Sequence, residues 1–421
     1  MAMMTVASKH LPDDIVTDIL TRLPLKSLVR FRCVSKPWLN FLTHSRFPYW
    51  LLFRHLHCDT LKDCPHNESS IFLFYNKSSN SRPSRRREVQ ASDQSRDDQC
   101  KLYALGGGFL ENSFKFAFEI DFPLIRGKSF EIKTGSCHGM FCLSMDGDHN
   151  YGDDANSNSN TLVLWNPSIH DYKILPLPQE LGVCAGVCGL GFDSSMEDYK
   201  VVSVCDKQVH VFSVKRNLWR NLGGFDYSVF YEAIPLNGCL YWGASKFHKF
   251  ADRILCFNLS DETFREVPSP PFEPIIPQSI WFYEQFTEQQ FFVVATELNL
   301  LLWGNSLCVF RQYDQTLWKM KQEKEENDGG VKETWSLLMT LPKITNHESH
   351  LRNHYRLHPK CFTKSGKLVL SVRRKRFVMY DGVKFEDLHV QGMGEGRFLK
   401  AAAYSESLIS PASIRGMNDI D

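Results

Sequence analysis

Apolar positions change their rhythm near residue 55. Before it they recur at helical spacing; after it they alternate or cluster in short blocks. Ile15, Val16, Ile19, Leu20 and Leu23 stand at i, i+1, i+4, i+5 and i+8, one wide apolar face of a helix. Pro12 suits its first position, where a missing N–H loses nothing, and Asp13 and Asp14 favour the positive end of the helix dipole. Pro24 ends this helix and opens a second carrying Leu25, Leu28, Val29 and Val34. Ser35 is placed to cap a third bearing Trp38, Phe41 and Leu42. Pro37 falls in that helix's first turn, where proline is tolerated. Three short helices are predicted.

The remainder reads as strands. SIFLFYN (70–76), KLYAL and FKFAFEI lead, interrupted by a Ser- and Arg-rich stretch over about 77–99 whose composition predicts a disordered loop. A unit then recurs: a β run, a polar turn, an aromatic residue, and an aliphatic one three positions on. Its copies hold Tyr172/Leu175, Trp219/Leu222, Phe264/Val267, Trp335/Leu338 and Phe385/Leu388, with aromatic spacings of 47, 45, 71 and 50 residues. The long step contains the charged insertion KQEKEENDGG. A repeat of about fifty residues with several strands matches propeller blades of the kelch size class. Positions i and i+3 of a strand face opposite ways, so each blade offers apolar groups to both neighbours. A two-sheet sandwich ranks second, because it buries only one face of each sheet. Five units are visible. A sixth blade is expected from the early strands joined to RFLKAAAYSESL near the chain's end, which would close the ring and remove exposed edges. Five or seven blades are the alternatives.

At 421 residues the chain suits two or more domains, and its 43% hydrophobic and 23% charged content is that of a globular protein. A net charge of +1 gives no argument for nucleic acid. No apolar run reaches the roughly 18 residues of a membrane helix, and residues 1–10 lack the apolar stretch of a secretory signal. Thirteen cysteines, many within apolar strand runs, point to reduced buried thiols in a cytoplasmic or nuclear protein.

The helical region has too few residues to bury its own large side chains. From Arg22 to Arg54 it carries Arg22, Lys26, Arg30, Arg32, Lys36, Arg46 and Arg54 with no acidic residue among them. An apolar face bordered by one sign of charge suits an acidic partner, although a helical cap on the β domain is the plainer alternative. The run LPDDIV…ILTRLPLKSLVRFRCVSKPWLNFL resembles an F-box of the form common in plants. That resemblance implies docking on a Skp-type adaptor, and through it on a cullin, by Leu11, Pro12, Ile15, Ile19, Leu20, Leu23, Pro24, Leu28, Val34 and Trp38. GLGFDSSMEDYKVVSV, LWNPS, LNGCLYWGA and AAAYSESLISP are similar to the F-box-associated domain that follows it in many plant proteins, across about 135–410. Loops at 146–160 and 321–333 depart from that pattern.

Catalytic signatures are weak. His55, His57, Cys58, Cys64 and His66 match no zinc spacing, and a linker is the better reading. Of His347, His350, His354 and His358, the last three would share a helical face, but the HExxH frame is absent after His347 and Pro359 favours a loop. Cys184 and Cys188 lie in a Gly-rich apolar run as two packed thiols. Gly106-Gly107-Gly108 lacks a phosphate-loop frame; Arg85-Arg86-Arg87 reads as a solvated charge run in preference to an import signal, and Arg373-Arg374-Lys375-Arg376 as strand or hairpin charges with a basic targeting run as the alternative. Trp242, Trp281 and Trp303 are either contact anchors or core. No metal, cofactor or nucleophile is called for.

The expected architecture is therefore α+β and multidomain: a three-helix F-box over 8–54, a linker over 55–67, an all-β propeller over 68–410 with six blades, and a tail over 411–421. The expected role is a non-catalytic substrate receptor of a ubiquitin ligase. A non-degradative F-box scaffold and a ligand-binding or catalytic propeller are the alternatives.

Overall fold

The computed structural model describes residues 12–44, 46–49, 51, 70–77, 101–105, 115–116, 118–122, 124, 130–145, 161–177, 186–246, 251–271, 298–312, 314–324, 331–342, 357–363, 365–372, 376–388, 390–391 and 397–414. Its helices are α1 (Asp13–Thr21), α2 (Leu25–Phe31) and α3 (Lys36–His44). Pro12 and Pro24 stand one position before their helices, with extended ψ of 142° and 143°, and their carbonyls accept the first helical N–H groups. The Ser35 hydroxyl accepts from the Trp38 N–H at 3.3 Å, the cap its position predicts. Val34 was expected on the second helix. That helix stops at Phe31, and Val34 sits in a turn, its N–H bonded three residues back to Phe31.

Six four-stranded antiparallel sheets follow. Five use consecutive strands: blade 1 over 130–175, blade 2 over 187–224, blade 3 over 228–267, blade 4 over 298–340 and blade 5 over 357–387. In blade 6, Arg397–Ser405 pairs with Ser70–Lys77, which pairs in turn with Lys101–Leu105 and then Phe118–Glu119. The expected union of early and late strands is what the sheet order contains.

Alternation explains the ring. Phe141 and Leu143 of blade 1 face blade 6 with Leu102, Ala402 and Tyr404, whereas Cys142 between them faces blade 2 with Leu190 and Phe212. In Asp198–Cys205 every residue is buried; Val201 joins the blade 1 seam and Val202 the blade 3 seam. Sheets apolar on both faces need a neighbour on each side, which a ring of blades supplies and a two-sheet sandwich does not. Gly189 shows how close the blades come: a Cβ there would lie 2.7 Å from the Trp242 ring and from the Ala233 methyl.

The recurring aromatic packs at these seams. The Trp219 indole N–H donates to the Pro176 carbonyl at 2.5 Å, and Trp335 repeats the bond to Pro268 at 2.7 Å, each reaching the previous blade. Leu175, Val267 and Leu388 are buried, but Leu222 remains 40% exposed, the unpaired residue where the register shifts between Val209–Gly223 and His210–Asn221. The nine described cysteines are free thiols.

Ring closure is sealed by a polar knot. Asn166, fully buried, donates through Nδ2 to the Ser407 carbonyl (3.1 Å), the Ser407 hydroxyl (3.0 Å) and the Ile409 carbonyl (2.8 Å). Its Oδ1 accepts from the Ser168 N–H at 2.9 Å and the Tyr404 hydroxyl at 3.2 Å. The LWNPS and AAAYSESLISP motifs thus meet in space. The expected tail begins later than residue 411: Pro411–Ser413 forms a 3-10 turn against blade 1, and Ile414 is buried.

Candidate functional site: two docking surfaces

The helical region divides the residues expected to bind an adaptor. Leu20 and Leu28 are buried with Leu25, Leu42, Phe47 and Leu51. Leu23 and Trp38 pack half-buried against that cluster, Trp38 meeting Phe31 edge to face at 5.6 Å. Pro12, Ile15, Ile19, Pro24 and Val34 face solvent, with Ile15 48%, Ile19 46% and Val34 64% exposed. Leu11 lies outside the described residues. Around the open face, Arg22, Lys26, Arg30, Lys36 and Arg46 are exposed; Arg22 is offset by an ion pair to Asp18 at 2.6 Å.

The same bundle also caps the propeller. Ile169 and Leu408 join its buried cluster, and Tyr49 packs on the seam between blades 1 and 2. Burial, with the carboxylates of Asp198 and Glu197 nearby, pushes the Tyr49 hydroxyl up to about 12. Beneath it, Nδ1 of His138 hydrogen-bonds the Tyr199 hydroxyl at 2.9 Å, and the Ser407 hydroxyl donates to the His138 carbonyl at 2.6 Å. Burial lowers the His138 pKa to about 4, so its ring is neutral. The bundle therefore caps the propeller through Ile169 and Leu408 while Ile15, Ile19 and Val34 stay exposed.

Strand direction assigns the propeller's two ends. Within a blade, first-to-second and third-to-fourth strand turns lie on one face; second-to-third turns and blade-to-blade crossings lie on the other. Ile169, Leu408, His138 and Glu197 all belong to the first, so the helices sit there. That face has short turns at 194–197, 237–238, 259–262 and 304–305. The opposite face carries the strand ends at Lys77 and Lys101, Met145 and Thr161, Leu175 and Val187, Val267 and Leu298, and Thr340 and Leu357.

On that opposite face, blade 3 forms a groove of about 490 Å³ lined by Asp252, Arg253, Glu266, Val267, Pro268 and Ser269. Glu266 accepts from the Tyr227 hydroxyl and from Arg253 Nη1 at 3.0 Å, and these bonds, Tyr227's first, lower its pKa. Lys246 lies 4.7 Å over the Tyr227 ring. The groove presents charge of both signs beside an aromatic ring.

Inside the ring, Lys200 is held by Asp193 (2.8 Å), Glu262 (2.9 Å) and the Leu259 carbonyl (2.5 Å), tying blade 2 to blade 3. Burial alone would lower the Lys200 pKa, but the two carboxylates raise it. Trp242 is fully buried, and Trp303 stacks on Phe362 at 4.8 Å with Lys319 over its ring; both are packing residues. Among the described residues no three His, Cys, Asp or Glu side chains gather as a metal site. The histidine and cysteine clusters at 55–66, His347, His350, His354, Cys184, Trp281, Gly106–Gly108 and Arg85–Arg87 lie outside the described residues; His358 is in the blade 5 strand Leu357–Phe362.

Comparison with known proteins agrees with this division. The F-box domain family matches residues 9–50, and the F-box associated beta propeller domain family matches residues 125–409. An F-box/kelch-repeat protein of Arabidopsis thaliana is 26% identical over 62% of this chain and 66% of its own length. The F-box protein CPR1 of the same plant is 24% identical over 88% of this chain and 82% of its own. The chain thus spans just under two thirds of the first of these relatives. Among solved structures, TolB from Acinetobacter baumannii superposes with a TM-score of 0.41 at 9% identity, over 80% of this chain and 67% of that one. With the propeller family matching 285 of 421 residues (125 to 409 inclusive) and an F-box ahead of it, the chain belongs to the F-box associated beta propeller family and is a plant F-box protein with a C-terminal propeller.

Proposed function

We propose that this protein is the substrate-recognition subunit of a Skp–cullin–F-box ubiquitin ligase. The F-box would dock on a Skp-type adaptor, and the propeller face opposite it would hold a target protein. The carrying observation is the uncovered apolar face of Ile15, Ile19 and Val34, bordered by exposed Lys and Arg, on a bundle whose other side is already seated on the propeller. Docking an acidic partner there completes the bundle's core, and the basic border speeds encounter. The blade 3 groove, with charge of both signs beside the Tyr227 ring, favours the far face for the target. The chain's own part is positioning: holding a target's lysines beside a conjugating enzyme raises their effective concentration, so no catalytic group is needed here.

Affinity purification of the full chain from plant cells tests the assignment. Adaptor and cullin are expected with the wild type and absent with the Leu11→Ala/Pro12→Ala double variant. Unchanged recovery with the folded variant would overturn it.

A further inference from the structure

The cysteines are not equivalent. Burial pushes the thiols of Cys137 and Cys308 up to about 12 and raises Cys361 as well, as expected of inert packed groups. Cys239 and Cys256 have different surroundings. In blade 3, Cys239 opens the strand Cys239–Ser245 and lies opposite Asn258; Tyr241, two residues on, lies opposite Cys256. Both cysteines therefore face the same side, toward blade 4, as diagonal neighbours on paired strands. Cys239, Cys256 and the Tyr241 hydroxyl are neighbours at this seam, and their ionisations are linked. That hydroxyl accepts from Gln322 Nε2 at 3.2 Å. Arg265 stands beside the pair, fixed by Glu333 of blade 4 through bonds of 2.9 and 2.6 Å. Cys239 is partly exposed and Cys256 is fully buried.

This arrangement separates the two thiols. The neighbouring Cys256 thiol, then the Arg265 charge, draw the Cys239 pKa down against burial, while Cys239 and burial raise that of Cys256. Cys239, partly exposed, is the member a solute can reach, and Cys256 lies behind it. A cysteine that is partly exposed, paired with a cation and backed by a second thiol has the attributes of a redox-sensing site.

We propose that Cys239 and Cys256 form a hydroperoxide-responsive dithiol at the seam between blades 3 and 4, Cys239 attacking the peroxide and Cys256 capturing the product. The Cys239 thiolate attacks one oxygen of hydrogen peroxide. The S–O bond forms, the O–O bond breaks, and hydroxide leaves to take up a proton; sulfur loses two electrons and the peroxide gains them. The Cys256 sulfur then attacks the sulfenic sulfur, forming the S–S bond as the S–O bond breaks and water departs with the Cys256 proton. In sum, two thiols and one hydrogen peroxide become a disulfide and two waters. Diagonal strand neighbours are about 7–8 Å apart at Cα, beyond the roughly 7 Å that a disulfide spans without backbone movement. Cys239 follows directly on the turn Asn237-Gly238, both at positive φ, so closure asks for movement at a strand end rather than in its middle.

Peptide-mapped mass spectrometry of the intact, reduced protein tests this. With limiting iodoacetamide at neutral pH, Cys239 is expected to be alkylated at least about tenfold faster than the exposed Cys33 of the F-box, although burial alone predicts the reverse. Equal or slower labelling of Cys239 would overturn the proposal. With equimolar hydrogen peroxide and dimedone, a Cys239–Cys256 cross-linked peptide is expected in the wild type, and a dimedone adduct on Cys239 in Cys256→Ser. A dimedone adduct on Cys239 in the wild type with no cross-link would overturn the capture step.

Discussion

The F-box and the propeller solve the same burial problem in opposite ways. The propeller closes on itself: each blade is apolar on both faces and each face has a neighbour, so its large side chains are consumed in the seams. Trp165, Trp242, Tyr199, Phe141, Phe212, Phe257 and Phe310 are all essentially inaccessible. The helical bundle does not close. One side is finished by Ile169 and Leu408 of the propeller, while Ile15, Ile19 and Val34 on the other remain open to water. A region that satisfies its own surface needs no partner; the proposed role gives the region that stops short of doing so an adaptor to complete it. The F-box is joined to the propeller by packing as well as by sequence.

The comparison breaks first, and hardest, if the seams are not where the propeller's stability resides. Replacing Lys200 by Met keeps the aliphatic stem but leaves Asp193, 1% exposed, without its cation in a closed seam. The expected loss is about 3–5 kcal/mol, the range for removing one partner of a buried ion pair. A denaturant titration reads it directly, and a change under about 1 kcal/mol would mean that the network is not a structural clasp.

The joint between the two regions should carry a pH signature. His138 is neutral and buried next to Tyr199 and Cys137, with its folded pKa lowered to about 4. The unfolded chain binds a proton near pH ~6.5, the folded chain does not until about 4, so this contribution is whole above ~6.5 and is lost as the pH falls toward 4. The full swing is on the order of 3 kcal/mol. His138 has φ of 49°, a conformation that Asn also accepts, so His138→Asn should flatten the stability profile between pH 6.5 and 4 without an added backbone penalty. Parallel wild-type and variant profiles would remove His138 from the account.

What could be read beforehand follows the reach of each interaction. The blades were legible because their signal is local and repeated: Tyr172, Trp219, Phe264, Trp335 and Phe385 each announce an outer strand within a few residues. Closure was legible in AAAYSESL, an apolar run with no partner nearby in sequence. The joint was not, because Tyr49 in a short helical stretch, Ile169 in a turn and Leu408 beyond a strand end share no period. Lys200 looks like a solvent-facing residue in a strand until Glu262, sixty-two positions away, is brought beside it. Leu20 and Leu28 could not be told from Ile15 and Ile19, since helical spacing identifies an apolar face but not which part of it the propeller covers. The pairing of Cys239 with Cys256 depends on strand register, which no spacing rule supplies.

The central claim is that the F-box has one face spent on the propeller and one held open for an adaptor. Calorimetric titration of a purified Skp-type adaptor into the intact chain tests it most directly, using Ile15→Ser/Ile19→Ser for the open face and Leu28→Ala for the spent one. The open-face pair should weaken binding on the order of 100-fold, from about 1–2 kcal/mol for each anchor, and leave the melting temperature unchanged. Leu28→Ala should do the reverse, lowering stability by about 2–5 kcal/mol while the folded protein still binds. Adaptor affinity unaltered in the Ile15→Ser/Ile19→Ser protein would contradict the account.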